Sequence, residues 1–421
     1  MTSTTSLKYE IREDYRRFNQ RMEMFCRSIW DKSFSKTLPV PNYAMALINK
    51  AVEQIKTGHE GHGLREMALC WASWTIASME NAGPGWRGGN RGLFSWTPLG
   101  ASTAGHTLEP LWRFAKVEPE EVKSPEAATR FIKKIARIFG ATETGVTELD
   151  RHWVYSHWWS RYTEENGKIM FSDEMDEPDK YKEPTEQPNG TRVIPVGMTN
   201  VIVLGFERGY EGIGTSPDSV AGCETGLGYS KMTFTTPLLA EFIRNVGYNA
   251  IPMGNDTALS IPLAIDAGLG QLGRNGLLVN PKHGSRLALS KILTDMPLVH
   301  DSSMEFGLTE FCDVCKKCAK HCPSQAISFE ERSHEGQTLS NNPGSLKWYL
   351  HPERCMRFWT ELGEDCSNCL RICAFNKPRG ILHDLVRGII ANTTIFNRLF
   401  VWLDEALGYG KKRSSSSFFG Y

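Results

Sequence analysis

A mixed α/β core of the α+β kind, followed by a small cysteine-rich C-terminal unit, is the fold this sequence predicts. Between positions 201 and 293, short apolar runs alternate with amphipathic stretches and glycine stops, the pattern of strands and helices packed in layers. Between Cys312 and Cys373, eight cysteines fall at tight spacings, whereas Cys26, Cys70 and Cys223 are scattered. The bulk composition sets the class. With 421 residues, 40% hydrophobic and 23% charged, the chain reads as an ordinary globular protein of one large or two to three smaller domains.

Residues 1–140 form an N-terminal unit that is loop-rich at first. Arg87-Gly88-Gly89-Asn90-Arg91-Gly92 precedes no helix start, so it reads as a turn rather than a phosphate cradle. Over 127–139, Phe131, Ile132, Ile135 and Ile138 recur at helical spacing until Gly140. The core spans 141–306. It opens with a short strand over 146–149 and carries an exposed insertion over about 162–192. Much of that insertion is acidic, proline-containing and poor in apolar residues. A buried strand over 201–204 and a helix over 238–246, closed by Gly247, come next. A strand over 248–251 leads to a helix over 259–267 with Pro262 near its first turn, where proline is tolerated. Strands over 277–279 and 287–293 complete the core. The cysteine unit occupies 307–377. A helical extension, 378–421, has an amphipathic stretch over 382–407 that is expected to pack back onto the protein.

The cysteine unit carries the clearest chemistry. The run Cys312-Asp313-Val314-Cys315-Lys316-Lys317-Cys318-Ala319-Lys320-His321-Cys322-Pro323 has the bacterial ferredoxin spacing C-x2-C-x2-C-x3-C-P, and Cys355, Cys366, Cys369 and Cys373 follow. Eight thiolates are what two [4Fe–4S] clusters need. In two-cluster ferredoxins the fourth cysteine of a run serves the other cluster. Cys312, Cys315, Cys318 and Cys373 therefore form one ligand set, and Cys322, Cys355, Cys366 and Cys369 the other. Structural zinc usually takes paired C-x2-C units instead.

Two clusters form a one-electron wire, and most of the chain lies outside them, which favours a catalytic cofactor in the core. No G-x-G-x-x-G or P-loop signature is present. Asp150-Arg151-His152-Trp153-Val154-Tyr155 only approaches the D-x-H-x-x-G fingerprint of histidine-ligated cobalamin, with Tyr155 in place of glycine. Pattern alone does not name the cofactor. Lysines and arginines balance aspartates and glutamates at 48 each, so no global field attracts nucleic acid or an anionic membrane. No apolar stretch reaches the 18 residues of a membrane-spanning helix, and no signal peptide is visible.

Further segments carry a family resemblance. They are Cys223-Glu224-Thr225-Gly226-Leu227-Gly228-Tyr229-Ser230-Lys231-Met232, Gly247-Tyr248-Asn249-Ala250-Ile251-Pro252, Ala267-Gly268-Leu269-Gly270-Gln271, Thr294-Asp295-Met296-Pro297-Leu298 and Asp404-Glu405-Ala406-Leu407-Gly408-Tyr409-Gly410. In their order and spacing, over roughly 145–413, the chain resembles the catalytic subunits of corrinoid-dependent reductive dehalogenases of organohalide respiration. The resemblance implies a nitroreductase-like core holding a cobamide in the base-off form, fed through two [4Fe–4S] clusters. The implied reaction replaces a carbon-bound halogen by hydrogen. The expected substrate is a small chlorinated alkane or alkene.

The resemblance also assigns residues. Tyr229 matches the family's proton donor. A phenol with an ordinary pKa of about 10 is protonated at rest, and a nearby cation stabilises the phenolate it leaves. Asn255 matches a polar pocket residue, and Trp359 and Trp96 match pocket walls. The tyrosine's basic partner falls at Ala288, which carries no charge. Arg286, two residues earlier on the same strand face, is the expected replacement, with Arg274 the weaker one. The family further implies a respiratory electron donor, a membrane anchor protein and a homodimer. Its expected location is the outer face of the cytoplasmic membrane, after export by a twin-arginine leader not present in this chain. Two alternatives stay open at this stage. An epoxyqueuosine reductase-like enzyme acting on tRNA is opposed by the neutral charge balance, and a non-catalytic electron-transfer ferredoxin would bind no cobalt.

Overall fold

The computed structural model describes residues 10–40, 42–79, 92–99, 109–160 and 163–420. Positions 87–91 of the glycine-rich turn lie outside them. The strands among the described residues are β1 (Glu143–Glu148), β2 (His157–Trp159), β3 (Asn166–Phe171), β4 (Thr185–Glu186), β5 (Arg192–Ile194), β6 (Asn200–Glu207), β7 (Ala250–Met253), β8 (Gln271–Leu272), β9 (Leu278–Val279) and β10 (Leu287–Thr294).

The central sheet has the order β1-β6-β10-β7 and is antiparallel throughout, with Ile202 opposite both Val146 and Ile292, and Leu293 opposite Ile251. Both β6 and β10 are apolar runs because both their faces are covered. On one face Ile202, Leu204 and Ile292 meet Ile132 and Ala136 of the helix Pro125–Ile138, and Leu239 and Ile243 of the helix Ser219–Asn245. On the other, Val201, Val203 and Leu293 meet Trp153, Tyr155, Trp158 and Phe171, and Leu263 of the short helix Ser260–Asp266. The chain therefore has the mixed helix-and-strand core and the C-terminal ferredoxin-like unit its sequence predicts.

Three local expectations change. The helix expected over 238–246 is the end of a 27-residue helix, Ser219–Asn245, with Pro237 inside it. Its first half hides from periodicity because glycines occupy its packing face. A Cβ on Gly226 would lie 2.2 Å from Ser73 Oγ and 2.6 Å from the Trp74 ring. Gly226 lets the helix Leu64–Ser73 approach closely. Second, the expected insertion over 162–192 contains β3, whose Ile169 and Phe171 are core residues, each 1% exposed. This strand pairs with β2 and β5, so the exposed part begins only after Phe171. Third, the C-terminal helices Ile381–Asn392 and Asn397–Ala406 pack back with one face only. Val386, Ile390, Phe400 and Val401 join the core around Phe311 and Phe375. Ile381, Leu382, Leu385, Leu399 and Trp402 remain exposed, Ile381 at 89%.

Candidate active site and cluster ligands

The eight cysteines separate into two quartets. Cys312, Cys315, Cys318 and Cys373 line one small cavity with Arg274, Val279 and Phe375. The charge on Cys312 is felt from Cys373, Cys315 and Cys318, and that on Cys355 from Cys366 and Cys322. Cys369 feels Cys366, Cys355 and Cys322 together with Cys318, as neighbouring sites require. All eight are free thiols. Burial pushes Cys315, Cys318 and Cys355 up to about 12 and Cys366 to about 11. Such thiols ionise only when a metal supplies positive charge. Backbone amides near Lys317, Phe375 and Asn368 donate to Cys315, Cys373 and Cys366. That donor set fits iron–sulfur clusters. Among the described residues no three His, Cys, Asp or Glu side chains are grouped for a single metal ion. The first quartet stands around a space.

The second quartet adjoins the long helix. A Cβ on Gly222 would lie 2.6 Å from the Glu364 carboxyl and 3.0 Å from Asp365, both just before Cys366. Ser216 Oγ donates to Asn368 Oδ1 at 3.0 Å. Tyr229 is seven residues further along this helix, about 10 Å at 1.5 Å per residue.

Tyr229 stacks on Trp74 with ring centroids 5.2 Å apart, and its hydroxyl accepts from Asn255 Nδ2 at 2.9 Å. Asn255 lies five residues before the next helix, which begins at Ser260. It sits in a tight turn where Gly254 N donates to Asp256 Oδ1 at 2.8 Å and Thr257 adopts a left-handed φ of 65°. A non-glycine residue there is strained, so the turn needs outside support. Lys291 of β10 provides it, donating to Gly254 O at 2.5 Å and to Ala258 O and Ser260 Oγ at 2.8 Å. Sequence reasoning missed Lys291. Its signal is a lone charge inside the apolar run Leu287-Ala288-Leu289-Ser290-Lys291-Ile292-Leu293.

A cavity of about 290 Å³ opens on this turn. It is lined by Trp153, Tyr155, Asn255, Leu259 and Leu272 together with Tyr15, Asn342, Ser345 and Lys347. Glu23 also lines it. Burial alone lowers the Lys347 ammonium to about 8, and its Nζ lies 4.8 Å from the Tyr349 ring. An aromatic-walled cavity with a few converging polar groups is the usual form of a cofactor site.

The other expected residues lie elsewhere. Arg286 does share the Ala288 face, but two residues along a strand is a displacement of about 6.6 Å. Its guanidinium donates to Glu207 Oε1 at 2.9 Å, Asn376 Oδ1 at 2.6 Å and Arg208 O. No contact with Tyr229 is found, so Arg286 ties the core to the cysteine unit instead of supplying the missing cation. Arg274 is buried against the carbonyls of Cys312, Ser328 and Glu330. Trp96 is a core residue, 3% exposed, packed with Trp153 and Tyr155. Trp359 lies one turn after Cys355, against Phe25 at 5.8 Å. Neither tryptophan lines the cavity. His152 is surface-facing, with Nδ1 2.7 Å from Asp150 Oδ1.

Residues 311–377 match the family described as 4Fe-4S dicluster domain. The chain is 34% identical over 398 residues to the tetrachloroethene reductive dehalogenase of Sulfurospirillum multivorans, covering 89% of this chain and 77% of that one. It is 35% identical over 334 residues to that of Desulfitobacterium hafniense, covering 76% of this chain but 59% of the relative. A solved catabolic reductive dehalogenase, NpRdhA, superposes with a TM-score of 0.64 at 19% identity, over 96% of this chain and 48% of its own. The chain thus spans about half the length of that structure.

Proposed function

Because this chain belongs to the reductive dehalogenases, iron–sulfur and corrinoid oxidoreductases, we propose that it removes chlorine from a small chlorinated ethene. The relatives are named for tetrachloroethene, and one of Dehalococcoides mccartyi for trichloroethene. The overall change takes two electrons and one proton. The carbon–chlorine bond breaks, a carbon–hydrogen bond forms and chloride leaves.

When bound, a corrinoid would supply low-potential reducing chemistry at the carbon–halogen bond, and two [4Fe–4S] clusters would supply one-electron transfer to it. The chain's own residues do the rest. Cys312, Cys315, Cys318 and Cys373 hold the outer cluster, beside the C-terminal helices. Cys322, Cys355, Cys366 and Cys369 hold the inner one, against the helix that carries Tyr229. The cavity residues Trp153, Tyr155, Ser260, Leu272 and Lys347 would hold the cobamide or a part of it. Base-off binding without a protein ligand is supported by His152, which is engaged with Asp150 at the surface.

The observation that carries the reading is the 2.9 Å bond from Asn255 to the Tyr229 hydroxyl. An amide donor on the phenol oxygen orients its proton away from Asn255 and stabilises the phenolate left after transfer. With alanine at 288, Asn255, braced by Lys291, takes over the stabilising role. The Trp74 ring stacked on Tyr229 offers an apolar wall to a halocarbon that makes no hydrogen bonds and is held by shape and dispersion. A respiratory role, with a membrane anchor partner at the outer face of the cytoplasmic membrane, is supported by the uncovered apolar stripe on the C-terminal helices beside the outer cluster. A homodimer belongs to the same reading. The test is chloride release from tetrachloroethene by anaerobic protein containing iron and cobalt, with a low-potential reductant. Release is expected, and a cobalt-loaded protein that releases none from any chlorinated ethene contradicts the proposal.

A further inference from the structure

Lys347 is a cation in an unusual place. It lies in the long loop between Cys322 and Cys355, with its backbone bridged to Ser333, and its side chain lines the 290 Å³ cavity. Among the described residues no carboxylate is within ion-pair distance of its Nζ. The Tyr349 ring is its cation–π partner. Glu23, the other charged lining residue, accepts from Cys26 Sγ at 3.4 Å. Lys347 is partly buried, an ammonium drawn away from bulk water without a counter-anion is costly, and here burial acts on it unopposed. The groups around it are polar and ordered. Asn342 Nδ2 donates to the Tyr15 hydroxyl at 2.6 Å, and the Tyr349 hydroxyl donates to Ser345 O at 2.9 Å. The N-terminal segment clamps the same loop through Arg12 N to Gly344 O at 2.8 Å and Leu346 N to Glu10 O at 2.9 Å.

We propose that Lys347, flanked by Ser345 and Asn342, is an anion subsite that takes the phosphodiester of the cobamide's nucleotide tail. The assignment rests on the corrinoid reading above. The substrate class is uncharged, and the side-chain amides of a corrin ring are neutral. The phosphodiester is the charged group of the tail. The cavity is near the lower end of ligand pockets, roughly 300–1,000 Å³, a size for an appendage rather than a macrocycle. Asn255, which donates to the Tyr229 hydroxyl, lines the same cavity, so a tail held at Lys347 would share that cavity with the partner of Tyr229.

The test compares two corrinoids on the full chain, made with its clusters but without corrinoid. Cobalamin carries the phosphodiester and cobinamide lacks it. Binding is followed by corrin absorbance and tryptophan quenching. Lys347→Met is expected to weaken cobalamin roughly ten- to a hundredfold, the range for one charge-assisted hydrogen bond, and to change cobinamide by less than about twofold. Lys347→Arg keeps the charge and is expected to retain most of the cobalamin affinity. Equal weakening of both corrinoids by Lys347→Met, or weakening of neither, overturns the assignment. Failure of the unsubstituted protein to bind either corrinoid removes the corrinoid reading and the subsite with it.

Discussion

At the scale of single residues, Arg286 is defined by what its guanidinium meets, Glu207 at 2.9 Å and Asn376 at 2.6 Å. The absent cation at Ala288 was visible in the sequence, and strand alternation put Arg286 on the correct face. Alternation says nothing about where a long side chain ends. Arg286 ends at Glu207 and Asn376. Replacing it by alanine leaves a partly buried Glu207 with only His283 at 3.2 Å and Arg379 at 3.6 Å, and losing the charge-assisted hydrogen bond costs about 2 kcal/mol of stability. The expected result for Arg286→Ala is a lower denaturation midpoint with turnover per folded molecule largely kept. Turnover lost at unchanged stability would return Arg286 to the chemistry. Lys291 acts on the site through the strained Asn255 turn. Lys291→Met is expected to lower kcat with a smaller effect on KM, because substrate walls stay while Asn255 moves. A change confined to KM would show that the brace does not reach Tyr229.

At the scale of elements, packing decided what periodicity could not. The long helix Ser219–Asn245 was half legible. Its C-terminal half has an ordinary apolar stripe, but Gly222, Gly226 and Gly228 weaken the pattern before it. Gly226→Val is expected to push Trp74 off the Tyr229 ring and lower both melting temperature and turnover, and a variant with the parent's tryptophan emission and activity would contradict that packing. At the sheet edge His283, 1% exposed, bridges Glu143 of β1 and Glu207 of β6 at 3.1 and 3.2 Å. Burial lowers its pKa, but the two carboxylates outweigh burial and hold it above the ordinary 6.5. The stability this imidazolium contributes is therefore complete below about 6.5 and lost as pH rises through its raised value. Hydrogen bonds from His283 and Arg286 depress Glu207 to about 2, so its contribution is complete above its ordinary 4.5 and lost toward 2. Melting temperature is expected to decline on the alkaline side, and His283→Gln to flatten that decline. An unchanged slope in the variant would exclude the bridge as its source.

At the scale of the whole molecule, the cysteine spacing was the most legible feature, because covalent ligand chemistry leaves a fixed trace in sequence. The order of clusters was not legible, since it depends on which quartet meets the helix of Tyr229. Cys373→Ser is expected to reduce iron from about eight to about four per chain while cobalamin binding persists, because Cys373 is not among the residues lining the 290 Å³ cavity. Loss of corrinoid affinity along with the iron would contradict that layout. The amphipathic pattern of the C-terminal helices predicts inward packing. They pack inward with one stripe, and their second stripe is left for another surface.

The central claim is that Tyr229, held by Asn255, delivers the proton beside a corrinoid. It is tested most directly by chloride release from tetrachloroethene in Tyr229→Phe, matched to the parent in iron and cobalt content. A drop of at least about 100-fold, the lower range for a lost general acid, with both metals retained, is the predicted result. A matched variant that releases chloride at the parent's rate contradicts the account.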